Sequence, residues 1–525
     1  MAEFESEAIA DLGSAGSCER ERRVCGIREE CTAEFVLPDY MGDVKRLLKY
    51  TAEAVPCNKF ISAADVSFLS VVTFRVSYID ASGILSEAVF TADCEHNEHI
   101  GDDFSDASIS TLTQSVTVRL KGPRKICARA ALVSDICITE RISLPGIEAA
   151  AETEEMLKKS TRIRVHTAEY PRSVEREYAE EIGRMINIPA DDIEVVKCEL
   201  SPYASSTALS DSGIIIKGEM DALAVLRTGG EVMRITKRIP FEETVPLSTD
   251  MKDVYPSCRV YVTGVSANLN NVVEDGAEGA AYYTSVVLSS TVEFHTVTDR
   301  NVEHEVITDA FYKGKSNECA YESFIYEELM ATASEKRKIS LTESRGECEL
   351  REIIDCDVVV KNLKKEMLGS ELKLTGEIVC NIIASPNGEG ECLLLKCESP
   401  FEESVKLTGA NESARVYVDV EVADCSVSFD TEKIYVALTL GINAIALEEK
   451  KIDVMVDLKP CEKKSQRTRC LTVYYPCEGD TLWSVAKKYS ASPMDILKYN
   501  TLTDISAENL DASLASLERL IVMEE

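Results

Sequence analysis

The chain is poor in the residues from which most metal and catalytic centres are built. It has five histidines, one tryptophan and, among nineteen cysteines, no Cys-x-x-Cys pair. Structural zinc needs closely spaced ligands, so no metal is expected. Basic residues are also in short supply: 57 Lys and Arg stand against 91 Asp and Glu, for a formal charge of −34. A field of that sign repels nucleic acid and anionic lipid, and neither is expected as a partner. No apolar run reaches the roughly 20 residues of a helical membrane span, so no membrane insertion is expected. Met1 to Gly16 carries Glu3, Glu5, Glu7 and Asp11. A secretory signal has a cationic start and an apolar centre instead. The chain is therefore expected to begin its life in a cytoplasm.

What is present is a globular composition, 45% hydrophobic and 28% charged. The length suits roughly three to five domains. The cysteines are scattered from Cys18 to Cys477. In a reducing cytosol they read as small apolar residues on strands. The alternative is later intermolecular oxidation in an extracellular shell.

Internal repetition organises most of the chain. Pro240-Phe241-Glu242-Glu243-Thr244-Val245 recurs as Pro400-Phe401-Glu402-Glu403-Ser404-Val405, and Arg259-Val260-Tyr261-Val262 as Arg415-Val416-Tyr417-Val418. Gly218-Glu219 recurs as Gly376-Glu377, and Cys198 as Cys356. The offsets are 160, 156, 158 and 158 residues, in one collinear order. Each copy shows alternating apolar strands paired around a turn: Thr228-Gly229-Gly230 in one, Ser385-Pro386-Asn387-Gly388 in the other. Gly and Asn supply the positive φ such turns need. A more diverged copy lies upstream, with a hairpin of Val71 to Ile79 and Ile84 to Ala92 around Asp80-Ala81-Ser82-Gly83. Its later strands are expected at Val116 to Leu120, Ile126 to Leu132 and Ile136 to Ile142. Helix-prone segments separate the units at Ala149 to Lys159, Val174 to Ile186 and Tyr321 to Arg337.

The C-terminus differs. Lys459 to Arg469 holds five basic residues and one Glu, with Pro460, Ser465 and Gln466, and reads as a solvated linker. Docking on an acidic surface is the alternative. Leu471 to Pro476 follows as a short strand. Gly479 permits a tight turn, and Asp480 can cap the next helix. Leu482, Val485, Ala486 and Tyr489 form one apolar face. Ser492-Pro493-Met494-Asp495 opens a second helix, and Leu520-Ile521-Val522 closes the module as a strand. The expected order is strand, helix, helix, strand, folding as a separate knob.

Val473-x5-Gly479-Asp480-Thr481-Leu482-Trp483-Ser484-Val485-Ala486-Lys487-Lys488-Tyr489, with Met494-Asp495-Ile496-Leu497-x2-Asn500, resembles LysM. The duplicated Pro-Phe-Glu-Glu motif ahead of it resembles the SPOCS-domain proteins of spore-forming Clostridia. The resemblance implies a mainly β fold: tandem antiparallel β-rich, SPOCS-like repeat domains with short helices, then a C-terminal βααβ LysM module. The boundaries read as an N-terminal segment at 1–35, SPOCS-like domains at 36–147, 160–316 and 317–458, a basic linker at 459–469 and LysM at 470–525. LysM implies binding of N-acetylglucosamine chains through two loops. The first matches Gly479, Asp480, Thr481 and Leu482. The second follows Asn500, at Thr501, Leu502 and Ile505. The usual Pro-Gly-Gln-x-Leu-like turn before the last strand is replaced by Ser506 to Glu518, longer and without Pro or Gly. Sugar binding and helix capping alone both stay open for the first loop. The resemblance further implies a spore envelope assembly protein at the forespore surface or in the coat, in contact with a spore coat morphogenetic ATPase-type protein. The alternative is a peptidoglycan-binding protein of cortex or wall.

No catalytic constellation is found, so no enzyme activity and no cofactor are expected. Cys94-x-His96-x2-His99 is the most metal-like cluster, but the other two copies have no Cys or His in the matching region. Glu242-Glu243 and Glu402-Glu403 would point to opposite faces of a strand and not converge as acid and base. His304, between Glu303 and Glu305, reads as solvated. Gly229-Gly230 is a hairpin turn, and no P-loop appears.

Overall fold

In the computed structural model 79% of the chain is strand and 4% helix. The described residues are 17–524, apart from 63, 102–103, 147–155, 171–172, 248–252, 277–278, 314–315, 347–348, 389, 462–469, 501 and 503–508. They form three β-sandwich units and a small C-terminal module.

Unit 1 comprises β1 (Ser17–Val36), β2 (Val44–Ile61), β3 (Asp65–Asp80), β4 (Leu85–His99), β5 (Phe104–Gly122) and β6 (Lys125–Ser143). One antiparallel sheet has the order β2-β3-β4, the other β1-β6-β5. The alternation in β3 shows why the chain folds this way. Val66, Phe68, Ser70, Val72, Phe74, Val76 and Tyr78 are all buried, on one face of the strand. Val72, Phe74, Val76 and Tyr78 pack with Ile126, Ala128, Ala130 and Leu132 of β6, and Val66 and Phe68 with Ile136 and Ile138 of the same strand, which closes the sandwich.

Unit 3 repeats this order with β14 (Ser316–Ser344), β15 (Leu350–Leu368), β16 (Glu371–Pro386), β17 (Leu393–Lys406), β18 (Arg415–Phe429) and β19 (Lys433–Cys461), numbered after the strands of unit 2. Its sheets are β15-β16-β17 and β14-β19-β18. Unit 2 has β7 (Met156–Glu169), β8 (Val174–Ile186), β9 (Glu194–Ser210), β10 (Gly213–Thr228), β11 (Glu231–Val245), β12 (Val254–Gly276) and β13 (Gly279–Tyr312). Here β7 and β8 both pair with β13, along Thr298 to Tyr312 and Tyr283 to Phe294 respectively. Together they do what β14 does unbroken.

Several expectations are corrected. Val174–Ile186 and Tyr321 to Arg337 are strand, not helix, and so is the described part of Ala149 to Lys159. Their Glu, Arg, Ala and Met residues favour helix locally, but pairing with β13 and β19 outweighs that preference. Residues 17–36 are not a separate N-terminal segment, since β1 pairs with β6 along its length. The two strands expected at Ile126 to Leu132 and Ile136 to Ile142 are one strand, β6.

The repeated motif has a physical meaning. Gly218 lies opposite Phe241, and Gly376 opposite Phe401. Each phenylalanine covers the glycine across the strand pair, so that a Cβ at Gly376 would sit 2.7 Å from Phe401 Cε1. Glycine exposes backbone in a sheet, and a cross-strand ring restores the lost packing.

The units meet one another directly. Ile79 and Leu85 of unit 1, Val225 of unit 2, and Ile354, Ile383 and Cys392 of unit 3 form one buried cluster. Beside it three strands, one per unit, contribute Lys49, Lys197 and Asp355. Asp355 Oδ2 accepts hydrogen bonds from Lys49 Nζ at 2.6 Å and Lys197 Nζ at 2.8 Å. Burial opposes the charge of Asp355, but Lys197 and Lys49 outweigh it and hold the carboxyl well below its usual range. Glu87, in the same network, is pushed up to about 7 by burial, against the pull of Lys197 and Arg75. A second contact joins all three units where Arg259 meets Ser110 and, at 2.6 Å, Asp419.

Two outcomes follow. Gly376→Ala should destabilise the chain by roughly 1–3 kcal/mol through overpacking against Phe401, measured by urea unfolding. Glu87 binds a proton more tightly folded than unfolded, so its contribution to stability falls as pH rises from about 4.5 to about 7. Glu87→Gln should therefore stabilise the chain at pH 8, by on the order of 3 kcal/mol at most. The difference should vanish near pH 4.5 in paired melting curves.

Candidate functional site

The C-terminal module consists of β20 (Cys470–Tyr474), α1 (Leu482–Tyr489), α2 (Pro493–Asn500) and β21 (Leu520–Glu524), with β20 and β21 antiparallel. Leu482, Val485, Ala486, Ile496, Leu520 and Val522 make its core. Thr481, rather than Asp480, caps α1: its hydroxyl accepts from Ser484 N at 3.1 Å, in a reciprocal capping box. Asp480 instead closes the preceding turn. Its Oδ2 accepts from Cys477 N and Tyr474 Oη, both at 2.7 Å, which holds the carboxyl below its usual range. Gly479 takes φ 92°, where a side chain would be strained.

The expected binding residues therefore have different surroundings. Gly479 is exposed, Asp480 and Thr481 half-buried, and Leu482 wholly buried in the core. Leu482 offers no surface to a ligand, because it is the first apolar residue on the inner face of α1. Asn500 ties α2 to β21: Nδ2 donates to Ile496 O and Ile521 O, and Oδ1 accepts from Ile521 N. Leu502 packs on the module core. Thr501 and Ile505 lie outside the described residues. The first loop also has company. Leu482 N donates to Ala512 O at 3.1 Å, Trp483 N to Leu510 O at 2.9 Å, and Leu514 N to Asp480 O at 2.9 Å. The free N–H groups of the first helical turn are thus taken by the segment that replaces the usual Pro-Gly turn.

The module does not stand apart as a knob. Phe311 of β13 is fully buried within the module's own core cluster, with its ring 5.1 Å from that of Trp483. Trp483 Nε1 donates to Asp309 Oδ2 at 2.8 Å. Lys487 Nζ donates to Asp309 Oδ1 at 2.5 Å and to Tyr321 Oη at 2.8 Å. Burial works against the charge of Asp309, but Lys487, Trp483 and Tyr321 outweigh it and keep it ionised. Sequence reading missed Asp309, Phe311 and Tyr321, because nothing local marks three residues of strands β13 and β14 as partners of a helix some 170 positions later. What remains open is the outer face of the small sheet, where Leu471 and Val473 are exposed, with Tyr475 exposed directly after β20. Met494 and Tyr499 of α2 are exposed as well.

The other candidates disperse. On β4, Cys94 and His96 are buried while His99 is exposed and bonded to Asp65 at 2.6 Å. His96 stacks on Phe68, and burial lowers its pKa. Glu242 pairs with Lys217 at 2.9 Å, whereas Glu243 pairs with Arg176 at 2.9 Å, so the two do not converge. Glu402 and Glu403 divide likewise between Lys373 and Arg337. His304 is half-buried rather than solvated, and burial lowers its pKa.

Fold and module together define a tandem β-sandwich protein with a βααβ terminus. Residues 349–430 match the family described as SipL, SPOCS domain, and residues 478–511 match the LysM domain. The chain thus carries a SPOCS domain and a LysM domain. The first match spans β15 to β18, and the same strand order recurs in units 1 and 2. No curated protein and no solved structure matches the chain. LysM points to binding of N-acetylglucosamine-containing glycan, and the SPOCS domain to a role in sporulation.

Asp309→Ala should remove the two charge-assisted hydrogen bonds that reach the module, from Trp483 and Lys487, and weaken its docking by about 1.5–3 kcal/mol. A red shift of Trp483 emission with faster proteolysis after residue 461 is the expected result.

Proposed function

We propose that this protein is a non-catalytic assembly factor of the spore envelope. It acts at the forespore surface, on the mother-cell side, and recruits or anchors coat proteins through its LysM module. Its partner there is a coat morphogenetic ATPase-type protein. One observation carries the reading: the module's α1 face and first loop are occupied from within the chain, while Leu471 and Val473 of β20, with Tyr475 just after it, form an open apolar strip. Aromatic and aliphatic side chains exposed on one sheet face suit a protein interface. The three fused units hold that strip on a rigid base, through Phe311 and Asp309.

Glycan binding is the second reading, favoured by the LysM match itself. It uses the exposed Gly479 turn, where backbone groups can meet an acetamido group.

A double substitution, Val473→Asp with Tyr475→Asp, tests the first reading better than deleting the module, since deletion would expose Phe311. The full-length variant should keep its melting temperature and lose capture of the ATPase-type partner from sporulating cells. Unchanged capture would sink the protein-docking reading. In parallel, chitin oligomers at millimolar concentration should leave Trp483 fluorescence of the full chain unchanged. A saturable response would favour the glycan reading instead.

A further inference from the structure

We propose that Glu21, His166 and Asp299 bind one divalent transition-metal ion of the zinc class, which fastens unit 1 to unit 2. The three residues come from β1, β7 and β13, and all three are buried. One ligand atom from each lies within 4.8 Å of the others. His166 Nε2 stands 2.9 Å from Asp299 Oδ1 and 3.7 Å from Glu21 Oε2. Ligands bound at about 2.0–2.2 Å around a tetrahedral ion stand at separations of this order.

The second observation is a set of buried oxygens with nothing to bond. Among the described residues, Glu21 Oε2, Asp299 Oδ2 and the hydroxyl of Tyr170 have no hydrogen-bond partner. Buried polar atoms are almost always satisfied, and carboxylate oxygens most of all. Arg23 answers only part of the need. Its Nε donates to Glu21 Oε1, and its guanidinium stands 3.7 Å from Asp299 Oδ1. That places Arg23 as an outer partner that orients one oxygen of Glu21 and leaves the other for an ion. Two carboxylates and one guanidinium leave one negative charge for an ion to answer, and the His166 imidazole adds a nitrogen ligand. Imidazole with two carboxylates and no thiolate suits zinc or its neighbours among first-row metals better than calcium or copper(I). Tyr170 or a water is the fourth ligand.

The site is absent from any sequence spacing because its members are separated by more than a hundred residues. The reading is independent of the docking proposal for the LysM module, which shares none of these residues.

The test uses the full chain, loaded with Zn²⁺, dialysed and assayed for metal by mass spectrometry. One retained ion per chain is expected, and chelation should lower the melting temperature. Replacement with Co²⁺ should give a spectrum of nitrogen and oxygen ligands without a thiolate charge-transfer band. His166→Gln removes a ligand and should weaken binding at least as much as loss of an outer partner does, about 10–100-fold, and Glu21→Gln similarly. No retained ion, a thiolate spectrum alone, or unchanged affinity in a folded His166→Gln variant would overturn the proposal. Those outcomes leave a closed ion-pair network with buried water. Should the variants fail to fold, stoichiometry and Co²⁺ spectrum of the unaltered chain decide.

Discussion

The architecture depends on burying unlike charges where the three sandwiches meet. Lys49 and Lys197 converge on Asp355, each from the first strand of its unit's hairpin sheet, so no two units can associate fully without the third. Removing Asp355 would take from Lys49 the carboxylate it bonds, while Lys197 keeps Glu199 at 2.5 Å, and a buried charge left without its partner typically costs about 3–5 kcal/mol. The same node imposes order. Three identical copies would bring three identical charges together, whereas this chain supplies two lysines and one aspartate. The repeats are alike in backbone and unlike where they touch. That difference lets one polypeptide choose a single arrangement of three similar parts.

Away from that node, the long first and last strands of each unit extend beyond their sandwiches and pack together. Cys18, Ile163, Val165, Val306, Phe324, Tyr326 and Val454 form a cluster drawn from all three units. The end of β13 continues past it to Asp309 and Phe311, which receive the LysM module. The terminal domain is therefore a rigid extension of the sandwiches. A partner bound on its open sheet face would feel the orientation of the whole molecule. Such rigidity suits a scaffold, where geometry must be transmitted between binding partners rather than absorbed by a linker.

The LysM module itself combines a common fold with altered loops. Its core follows the expected pattern, through Leu482 and Val485, while the cap falls to Thr481 and Ser484 instead of Asp480. The segment after α2 returns over the first loop and takes its backbone donors. A family's fold can persist while the groups that would meet a ligand are reassigned to the chain's own hydrogen bonds. This is why an intact motif is weaker support for a ligand than the state of its N–H and C=O groups.

Much of this was legible in the linear chain. Alternating apolar residues announced the strands, Gly229-Gly230 and Gly388 announced turns, and the collinear motifs announced the repeat. The Gly–Phe pairing behind Pro-Phe-Glu-Glu could be seen as a pattern but not as a contact. Charged, helix-favouring stretches such as Val174–Ile186 misled, since strand pairing is a non-local gain that residue preference does not contain. By itself the sequence determined what is periodic or local: strand alternation, turn glycines, the apolar face of α1 and the identity of the terminal module. Only the tertiary structure decided which charges share a buried node, that Trp483 faces Asp309, and that Glu21, His166 and Asp299 converge. Those contacts join residues far apart in the chain, and their energy exists only after the strands have been brought together.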